Sequence, residues 1–180
     1  MVFIILGAGF EEVEAITPYD VLSRGGVSVC FVSASNEKLV AGAHGISIQA
    51  DFIASDVHPA GRDAVVVPGG MGGVKSISAS ASACELIRSI DSENGIVAAI
   101  CAGPSVLAGL GLIEGRNITC YPGCEHMMHG ARCHTDRAVV TDGRIITGRA
   151  PGAAMDFSLA LLETIAGEDS AAGVRRDLVY

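Results

Sequence analysis

Cys101 occupies the point where an apolar run, Ile96–Ile100, gives way to Ala102-Gly103-Pro104. A run that is apolar at every position is typical of a central parallel strand covered by helices on both faces. The glycine permits a tight turn, and the proline suits the first position of a helix, where a missing N–H costs nothing. This pattern predicts a nucleophile elbow in which cysteine replaces serine, with a thiol pKa lowered by the N-terminus of the following helix.

A carboxylate partner for this thiol is available in a glutamate-rich segment near the start of the chain. Glu11, Glu12 and Glu14 fall in the first turn of a predicted helix, where negative charge is favourable. Glu11 and Glu14 share one face of that helix and Glu12 does not, so the spacing does not choose among the three. A solvated charge is the ordinary role of such a residue. A carboxyl buried beside a thiolate would instead have a raised pKa and could move protons.

A glycine-rich segment, Pro68–Gly73, supplies a third element of possible chemistry directly after another apolar run. The pair Gly69-Gly70 is interpreted either as a simple turn or as backbone that lets N–H groups approach a ligand closely. Together with the N–H of Ala102, these groups would form an oxyanion hole.

Six potential metal ligands lie in a later segment, where a zinc site is one interpretation. Their spacing is irregular, they include no Cys-x-x-Cys pair and they straddle a loop, whereas structural zinc sites use closely spaced pairs. We therefore expect no metal and no cofactor at these residues, which are Cys120, Cys124, His126, His129, Cys133 and His134.

Alternating strands and helices must position these groups. They predict an α/β fold, a doubly wound, mostly parallel sheet with helices on both faces. Ligands of such sheets bind at the carboxyl ends of the strands, so the loops 7–14, 68–73 and 101–104 are expected to meet at one edge. The apolar runs expected to form the core strands are Val2–Leu6, Val27–Val32, Ala64–Val67 and Ile96–Ile100.

Further elements follow from local patterns. Leu39–Asp51 alternates in polarity and predicts a hairpin. Asp142-Gly143 predicts a two-residue hairpin turn between strands at 138–141 and 144–147. One long helix is expected at the end of the chain, with Phe157, Leu161 and Ile165 on one side, and the first helix is expected to bury Val13, Ile16, Val21 and Leu22.

Composition limits the classes of function. The 180 residues are 49% hydrophobic and 18% charged, which indicates a single globular domain spanning residues 1–180. A net charge of −8, without a basic run, argues against a nucleic-acid partner. No apolar stretch approaches the roughly 20 residues that span a membrane. The six cysteines lack the spacing of a disulfide framework, so reduced thiols and a cytoplasmic location are expected.

Four motifs together resemble the ThiJ/PfpI superfamily, and within it the Parkinson disease protein seven (DJ-one) branch. The resemblance extends from the first strand almost to the end of the chain. The motifs are Gly9-Phe10-Glu11-Glu12-Val13-Glu14, Val67-Pro68-Gly69-Gly70, Ala98-Ala99-Ile100-Cys101-Ala102-Gly103-Pro104 and Arg149-Ala150-Pro151-Gly152.

The resemblance implies a flavodoxin-like homodimer. In it Cys101 is the reactive cysteine, Glu14 is the carboxylic acid that hydrogen-bonds it, and Gly70 and Ala102 supply backbone donors. The further residues that the resemblance suggests as lining the site are Gly69, Tyr121, Arg149, Pro151 and His44 of the partner subunit.

Two positions depart from the pattern of the family. Tyr121 stands where many relatives have a histidine near the cysteine, and a phenol with a pKa of about 10 is a poorer base at neutral pH than an imidazole. His44 stands where relatives often have an arginine.

The family's activities imply two classes of function. One is a glutathione-independent glyoxalase or deglycase, which acts on 2-oxoaldehydes of the methylglyoxal type through Cys101, with Glu14 as proton shuttle. The alternative is an oxidative-stress sensor or redox-regulated chaperone in which Cys101 is oxidised to a sulfinate. A peptidase or amidotransferase is a weaker third interpretation, because such sites place a histidine directly after or near the cysteine, whereas Ala102 follows it here.

Overall fold

A seven-stranded sheet forms the centre of the computed structural model, which describes residues 1–180. Two short two-stranded sheets lie outside it. In chain order the strands are β1 (Val2–Leu6), β2 (Val29–Ser33), β3 (Leu39–Ala41), β4 (Ser47–Gln49), β5 (Phe52–Ile53), β6 (Ala64–Val67), β7 (Ile96–Ile100), β8 (Asn117–Ile118), β9 (Arg132–Cys133), β10 (Val139–Asp142) and β11 (Ile145–Gly148).

The central sheet has the order β10-β11-β7-β6-β1-β2-β5. Every neighbouring pair is parallel except β10 with β11. All residues of β1 and β6 are buried, as expected for strands with helices on both faces. The predicted doubly wound, mostly parallel sheet is confirmed.

Two groups of helices flank the sheet. Helix α1 packs on α5, which also contacts α6, while α2 contacts α3 and α4. None of these helices has both the length and the apolar character needed to cross a membrane. The helices are α1 (Glu12–Arg24), α2 (Met71–Ala79), α3 (Ala81–Ser92), α4 (Pro104–Gly109), α5 (Ala154–Ala166) and α6 (Glu168–Asp177).

The buried face of α1 differs from the prediction. Val13 and Ile16 are 47% and 41% exposed, whereas Glu12 and Glu14 are buried. The spacing of apolar residues predicts the wrong buried face here. The inner face of this helix instead holds carboxyl groups that accept hydrogen bonds from other parts of the chain. Val21 and Leu22 are buried as predicted.

Helix α2 begins inside the glycine-rich segment, at Met71, where a loop was predicted as far as Gly73. A Cβ atom on Gly73 would lie 2.8 Å from the Cα of Phe10. Glycine at this position therefore lets α2 approach the turn between β1 and α1. From the sequence alone, a glycine that allows close packing cannot be distinguished from a glycine in a flexible loop.

The two hairpins are both present. The one predicted within Leu39–Asp51 is formed by β3 and β4. The β10–β11 hairpin turns at Gly143-Arg144, one residue later than predicted, because Asp142 pairs with Ile145. Gly143 takes the positive φ of 63° that the first turn position requires, and the Asp142 carboxylate accepts hydrogen bonds from Asn117.

The end of the chain forms two helices instead of one. Gly167, with φ of 88° and ψ of 164°, separates α5 from α6. Phe157 and Leu161 are fully buried, and Ile165 is half-buried. The second helix was missed because its sequence is polar and its apolar contacts are few.

Candidate active site

Cys101 lies directly beyond the carboxyl end of β7 with a φ of 65°, in the left-handed region that non-glycine residues rarely adopt. Its N–H donates to the carbonyl of Gly148 and its carbonyl accepts from the N–H of Tyr121, each at 2.9 Å. Because these bonds fix the backbone on both sides, they hold a conformation that costs on the order of 1 kcal/mol. The predicted strand–cysteine–helix elbow is confirmed.

Two backbone amides surround the sulfur of Cys101. The backbone N–H groups of Gly70 and Ala102 both act on the thiol by lowering its pKa. Gly70 adopts a φ of 82° immediately before α2, and Ala102 immediately follows the cysteine. The glycine-rich segment and the elbow therefore meet, as the rule for parallel sheets predicts.

Glu14 is fully buried beside the same thiol. Its Oε2 accepts a hydrogen bond of 2.7 Å from the N–H of Gly69, and its carboxyl group contacts Cys101. The buried Oε1 atom has no hydrogen-bond partner. The structure thus selects Glu14 from the three glutamates that the sequence left open.

The environments of the two groups change their acidities. Burial raises the pKa of Glu14 from 4.5 to about 7, against the opposing hydrogen bond from Gly69. Burial, followed by the negative charge of an ionised Glu14, also raises the pKa of the Cys101 thiol, although the amides of Ala102 and Gly70 oppose this. The predicted lowering of the thiol pKa is therefore wrong, because the helix N-terminus does not outweigh burial and the adjacent carboxylate.

Gly69 leaves the space in which the cysteine and the glutamate meet. A Cβ atom at this position would lie 2.6 Å from Oε2 of Glu14, 2.8 Å from Cβ of Cys101 and 3.0 Å from its sulfur. The N–H of Gly69 also orients Glu14 by donating to its carboxyl group. From the sequence alone, Gly69 and Gly70 are a pair, and this role could not be assigned to Gly69.

The other residues predicted to line the site, Tyr121, Arg149 and Pro151, differ in exposure and in the contacts they make. Tyr121 is 46% exposed and is tied to Cys101 through its backbone N–H. The guanidinium of Arg149 donates a hydrogen bond to the carbonyl of Thr135 at 3.2 Å. This bond directs the side chain to the loop before β10 and not to the cysteine. Pro151 begins a single helical turn, Pro151–Ala153, after β11.

His44 is held by a glutamate of its own chain. Its Nδ1 atom lies 2.8 Å from Oε2 of Glu12, and Oε1 of Glu12 accepts from the N–H of His44 at 2.7 Å. These bonds outweigh burial and hold the pKa of Glu12 below its usual value, while the bond to Glu12 raises the pKa of His44. Glu12 therefore anchors the β3–β4 hairpin to α1, a role that the sequence did not indicate.

Glu11 joins this pair, and the ligand atoms of Glu11, Glu12 and His44 lie within 4.8 Å of one another. This is close enough for the three side chains to share a cation. The oxygens of Glu12, however, already accept hydrogen bonds from the hairpin, which gives the group a structural use without an ion.

The cysteine and histidine residues considered as zinc ligands have different partners in the structure. Cys120 contacts Cys133, whereas Nε2 of His134 lies 3.0 Å from Oδ1 of Asn117. Nδ1 of His126 lies 2.9 Å from the carbonyl of Gly123. The structure does not bring the six side chains together around one centre.

Comparison with known sequences relates this geometry to one family. The model of the DJ-1/PfpI family matches residues 1–164. Protein dj-1beta of Drosophila melanogaster is 36% identical over 177 residues, covering 98% of this chain and 95% of the fly protein. A Caenorhabditis elegans protein named as a glutathione-independent glyoxalase is 36% identical over 160 residues, with 88% and 84% coverage. A Pyrococcus abyssi protein named as a deglycase is 34% identical over 152 residues, with 84% and 90% coverage.

Solved structures show the same fold. Drosophila DJ-1beta superposes with a TM-score of 0.91 at 35% identity, covering 99% of this chain and 96% of that one. A Salmonella typhimurium DJ-1 superfamily protein, crystallised as a cysteine-to-alanine mutant, gives 0.94 at 29% identity, with 99% and 97% coverage. Oxidized DJ-1 of Toxoplasma gondii gives 0.90 at 26% identity, with 99% and 97% coverage.

Proposed function

The chain belongs to the DJ-1/PfpI family, and from this premise we propose that it is a cofactor-free glyoxalase or deglycase that acts on 2-oxoaldehydes such as methylglyoxal. The observation that carries the proposal is the buried pair of Glu14 and Cys101, with the amides of Gly70 and Ala102 directed at the sulfur. The names of the nematode glyoxalase and the archaeal deglycase support the same class of reaction.

The reaction begins with attack of the Cys101 sulfur on the aldehyde carbon. The thiol proton passes to Glu14 and then to the carbonyl oxygen, which gives a hemithioacetal. The amides of Gly70 and Ala102 stabilise the negative charge that develops as the C–S bond forms. Because the pKa of Glu14 is raised to about 7, its carboxyl group can both accept and donate a proton near neutral pH.

Glu14 next moves a proton from the former aldehyde carbon to the oxygen of the neighbouring carbonyl, which gives an enediol. The second carbon then takes up a proton while the hydroxyl on the first carbon loses one. The product is a thioester of a 2-hydroxy acid, and water hydrolyses it to release the acid and restore the thiol. Methylglyoxal plus water thus gives lactate without a net oxidant or reductant, so no cofactor is required.

Turnover of methylglyoxal to lactate tests this proposal. We expect Cys101→Ser to abolish turnover and Glu14→Gln to reduce it at least 100-fold, since each removes a group that contacts the reacting atoms. Cys84→Ser, at a half-buried free cysteine outside the site, is the control and should retain the activity. Tyr121→His should raise turnover by supplying the base found in many relatives. Full activity of Cys101→Ser would disprove the mechanism.

A second candidate function is an oxidative-stress sensor, and the oxidized form of the Toxoplasma relative favours it. In this case peroxide oxidises the Cys101 sulfur in two steps to a sulfinate, whose oxygens the amides of Gly70 and Ala102 and a protonated Glu14 would stabilise. Absence of lactate, together with a mass increase of two oxygen atoms at Cys101 under mild peroxide, would favour the sensor over the enzyme.

We also propose a homodimer as the active form. The apolar side chains Val13 and Ile16 on α1 are exposed in the single chain, and a second copy would cover them. His44 lies beside that helix, so the partner subunit could bring the same residue toward this site. All six cysteines are unpaired, which suits the reducing cytoplasm that we propose as the location.

A further inference from the structure

A groove of about 890 Å³ runs between α2, α4 and the loop at 126–129, outside the residues assigned to the reaction. Its apolar lining comes from Met71, Val74 and Met127. Met71 is 59% exposed, a large unburied apolar side chain at the first position of its helix. The groove thus offers an apolar surface that no segment of this chain covers.

The groove is lined by residues that neighbour the site of Cys101 in the chain. Met71 directly follows Gly70, whose backbone amide lowers the pKa of the Cys101 thiol. Ser105, which lines the opposite wall, donates its hydroxyl to the carbonyl of Ala102 at 2.7 Å. The first turns of both helices therefore contribute lining residues of the groove and also neighbour the residues on either side of the sulfur.

The titratable side chains that line the groove all belong to basic residue types. Lys75, His126 and His129 line it, and no carboxylate does, in a protein whose net charge is −8. Glu125, the nearest acidic residue in sequence, uses its Oε2 to accept from the N–H of Gly123. The lining therefore complements an anionic ligand with an apolar body.

Lys75 lies on the same face of α2 as Met71. It follows Met71 by four residues, which corresponds to about 6 Å along the helix axis. Both side chains line the groove, so its apolar and cationic parts are about one helical turn apart.

We infer that the groove is the specificity subsite of this enzyme and selects 2-oxoaldehydes whose apolar chain ends in a carboxylate. The reactive carbonyl lies at Cys101, the chain lies on Met71, Val74 and Met127, and the carboxylate meets Lys75. The inference deepens the proposed function and rests on it for the position of the carbonyl. Binding of the anionic chain to the groove does not depend on turnover.

Two substrates of equal length test the specificity, one ending in a carboxylate and the other in a methyl group. We expect wild type at low salt to prefer the carboxylate in kcat/KM by roughly fivefold, and Lys75→Met to lose this preference. Lys75→Arg should keep it because the charge is retained. Lys38→Met, which removes a lysine elsewhere in the chain, should also keep it. A preference that survives Lys75→Met would overturn the assignment of Lys75.

Binding of hexanoate to the Cys101→Ser protein provides a test that needs no catalysis. We expect amide NMR shifts at residues 71–78, 105–109 and 126–129, and affinity that falls on adding salt and in the Lys75→Met background. Hexanol, the neutral analogue, should bind more weakly. Equal binding of hexanol and hexanoate, or shifts outside these segments, would disprove the subsite. Binding of hexanoate without turnover of any 2-oxoaldehyde would instead disprove only the proposed reaction.

Discussion

Gly69 lies against both Glu14 and Cys101 at a point where no side chain has room. We expect Gly69→Ala to lower the alkylation rate of Cys101 by at least tenfold, because the new methyl group must displace the sulfur or Oε2 of Glu14. Overpacking of this kind also costs about 1–3 kcal/mol of the free energy of unfolding. Alkylation with iodoacetamide and urea unfolding measure the two effects.

Gly152→Ala is the matched control for that substitution. A Cβ atom at Gly152 has no atom within 4 Å, so both the alkylation rate and the free energy of unfolding should stay near those of wild type. If Gly69→Ala behaved like this control, the close contact at the site would have no bearing on reactivity.

The buried carboxyl of Glu14 predicts a dependence of stability on pH. Its pKa is raised from 4.5 to about 7 in the folded state, so the folded protein holds a proton that the unfolded chain has released between these values. The contribution of Glu14 to the free energy of unfolding is therefore complete below about pH 4.5. It falls as the pH rises to about 7 and is constant above that, for a total loss of about 3 kcal/mol.

Urea unfolding of wild type and Glu14→Gln between pH 5 and 8 checks this prediction. The raised pKa of His44 gives a slope of the same sign, so the difference between the two proteins isolates Glu14. A wild-type slope identical to that of Glu14→Gln would show that Glu14 ionises normally in the folded protein.

At this scale the sequence predicts Cys101 better than its partner. The elbow is readable because the strand, the turn and the helix start are contiguous. The choice of Glu14 depends on an N–H of Gly69, which lies 55 residues away, and on burial. Local spacing shows neither of these. The predicted direction of the thiol pKa was wrong for the same reason, since the pKa depends on burial and on a carboxylate that the fold brings to the thiol.

The β3–β4 hairpin is held to α1 by one buried side chain. The carboxylate of Glu12 accepts from the backbone N–H groups of His44 and Ile46, at 2.7 and 3.4 Å, and contacts the His44 ring. We expect Glu12→Ala to destabilise the protein by about 2 kcal/mol, because the part-buried hydrogen bonds to this charged group are lost. Hydrogen exchange should increase at residues 42–47 and remain unchanged in β1, β6 and β7.

Glu37→Ala is the control for this experiment, since Glu37 is exposed and its side chain makes no recorded hydrogen bond. It should change neither stability nor exchange in the hairpin. Unchanged exchange at residues 42–47 in Glu12→Ala would mean that the hairpin is anchored by the backbone bonds of Gly9 and Ala43 alone.

The elements were predicted best where their pattern is dense. The buried strands are apolar at nearly every position, so β1, β6 and β7 were placed correctly. Helix α2 starts with glycines that serve close packing, which gives no helical signal, and α6 is too polar to show a face. Helix α1 was predicted with the wrong face toward the core, because the helix buries two carboxyl groups in place of Val13 and Ile16.

The association of two chains can be tested through that same face of α1. We expect wild type to sediment as a dimer and the double substitution Val13→Lys, Ile16→Lys to sediment as a monomer, because like charges would then meet across the interface. Val179→Lys, which changes a 93% exposed apolar side chain near the end of the chain, should leave the dimer intact. A monomeric wild type would contradict the proposed homodimer.

The position of β7 inside the sheet has a consequence for protein synthesis. β7 lies between β6 and β11, and the N–H of Cys101 donates to the carbonyl of Gly148. Glu14, Gly69 and Cys101 all leave the ribosome before Gly148 does, yet the backbone of the elbow lacks one of its two fixed bonds until then. The backbone of the elbow therefore needs residues as far as Gly148, which lies 47 residues beyond the cysteine in the sequence. The geometry of the Cys101 thiol thus depends on a strand that is synthesised well after the cysteine itself.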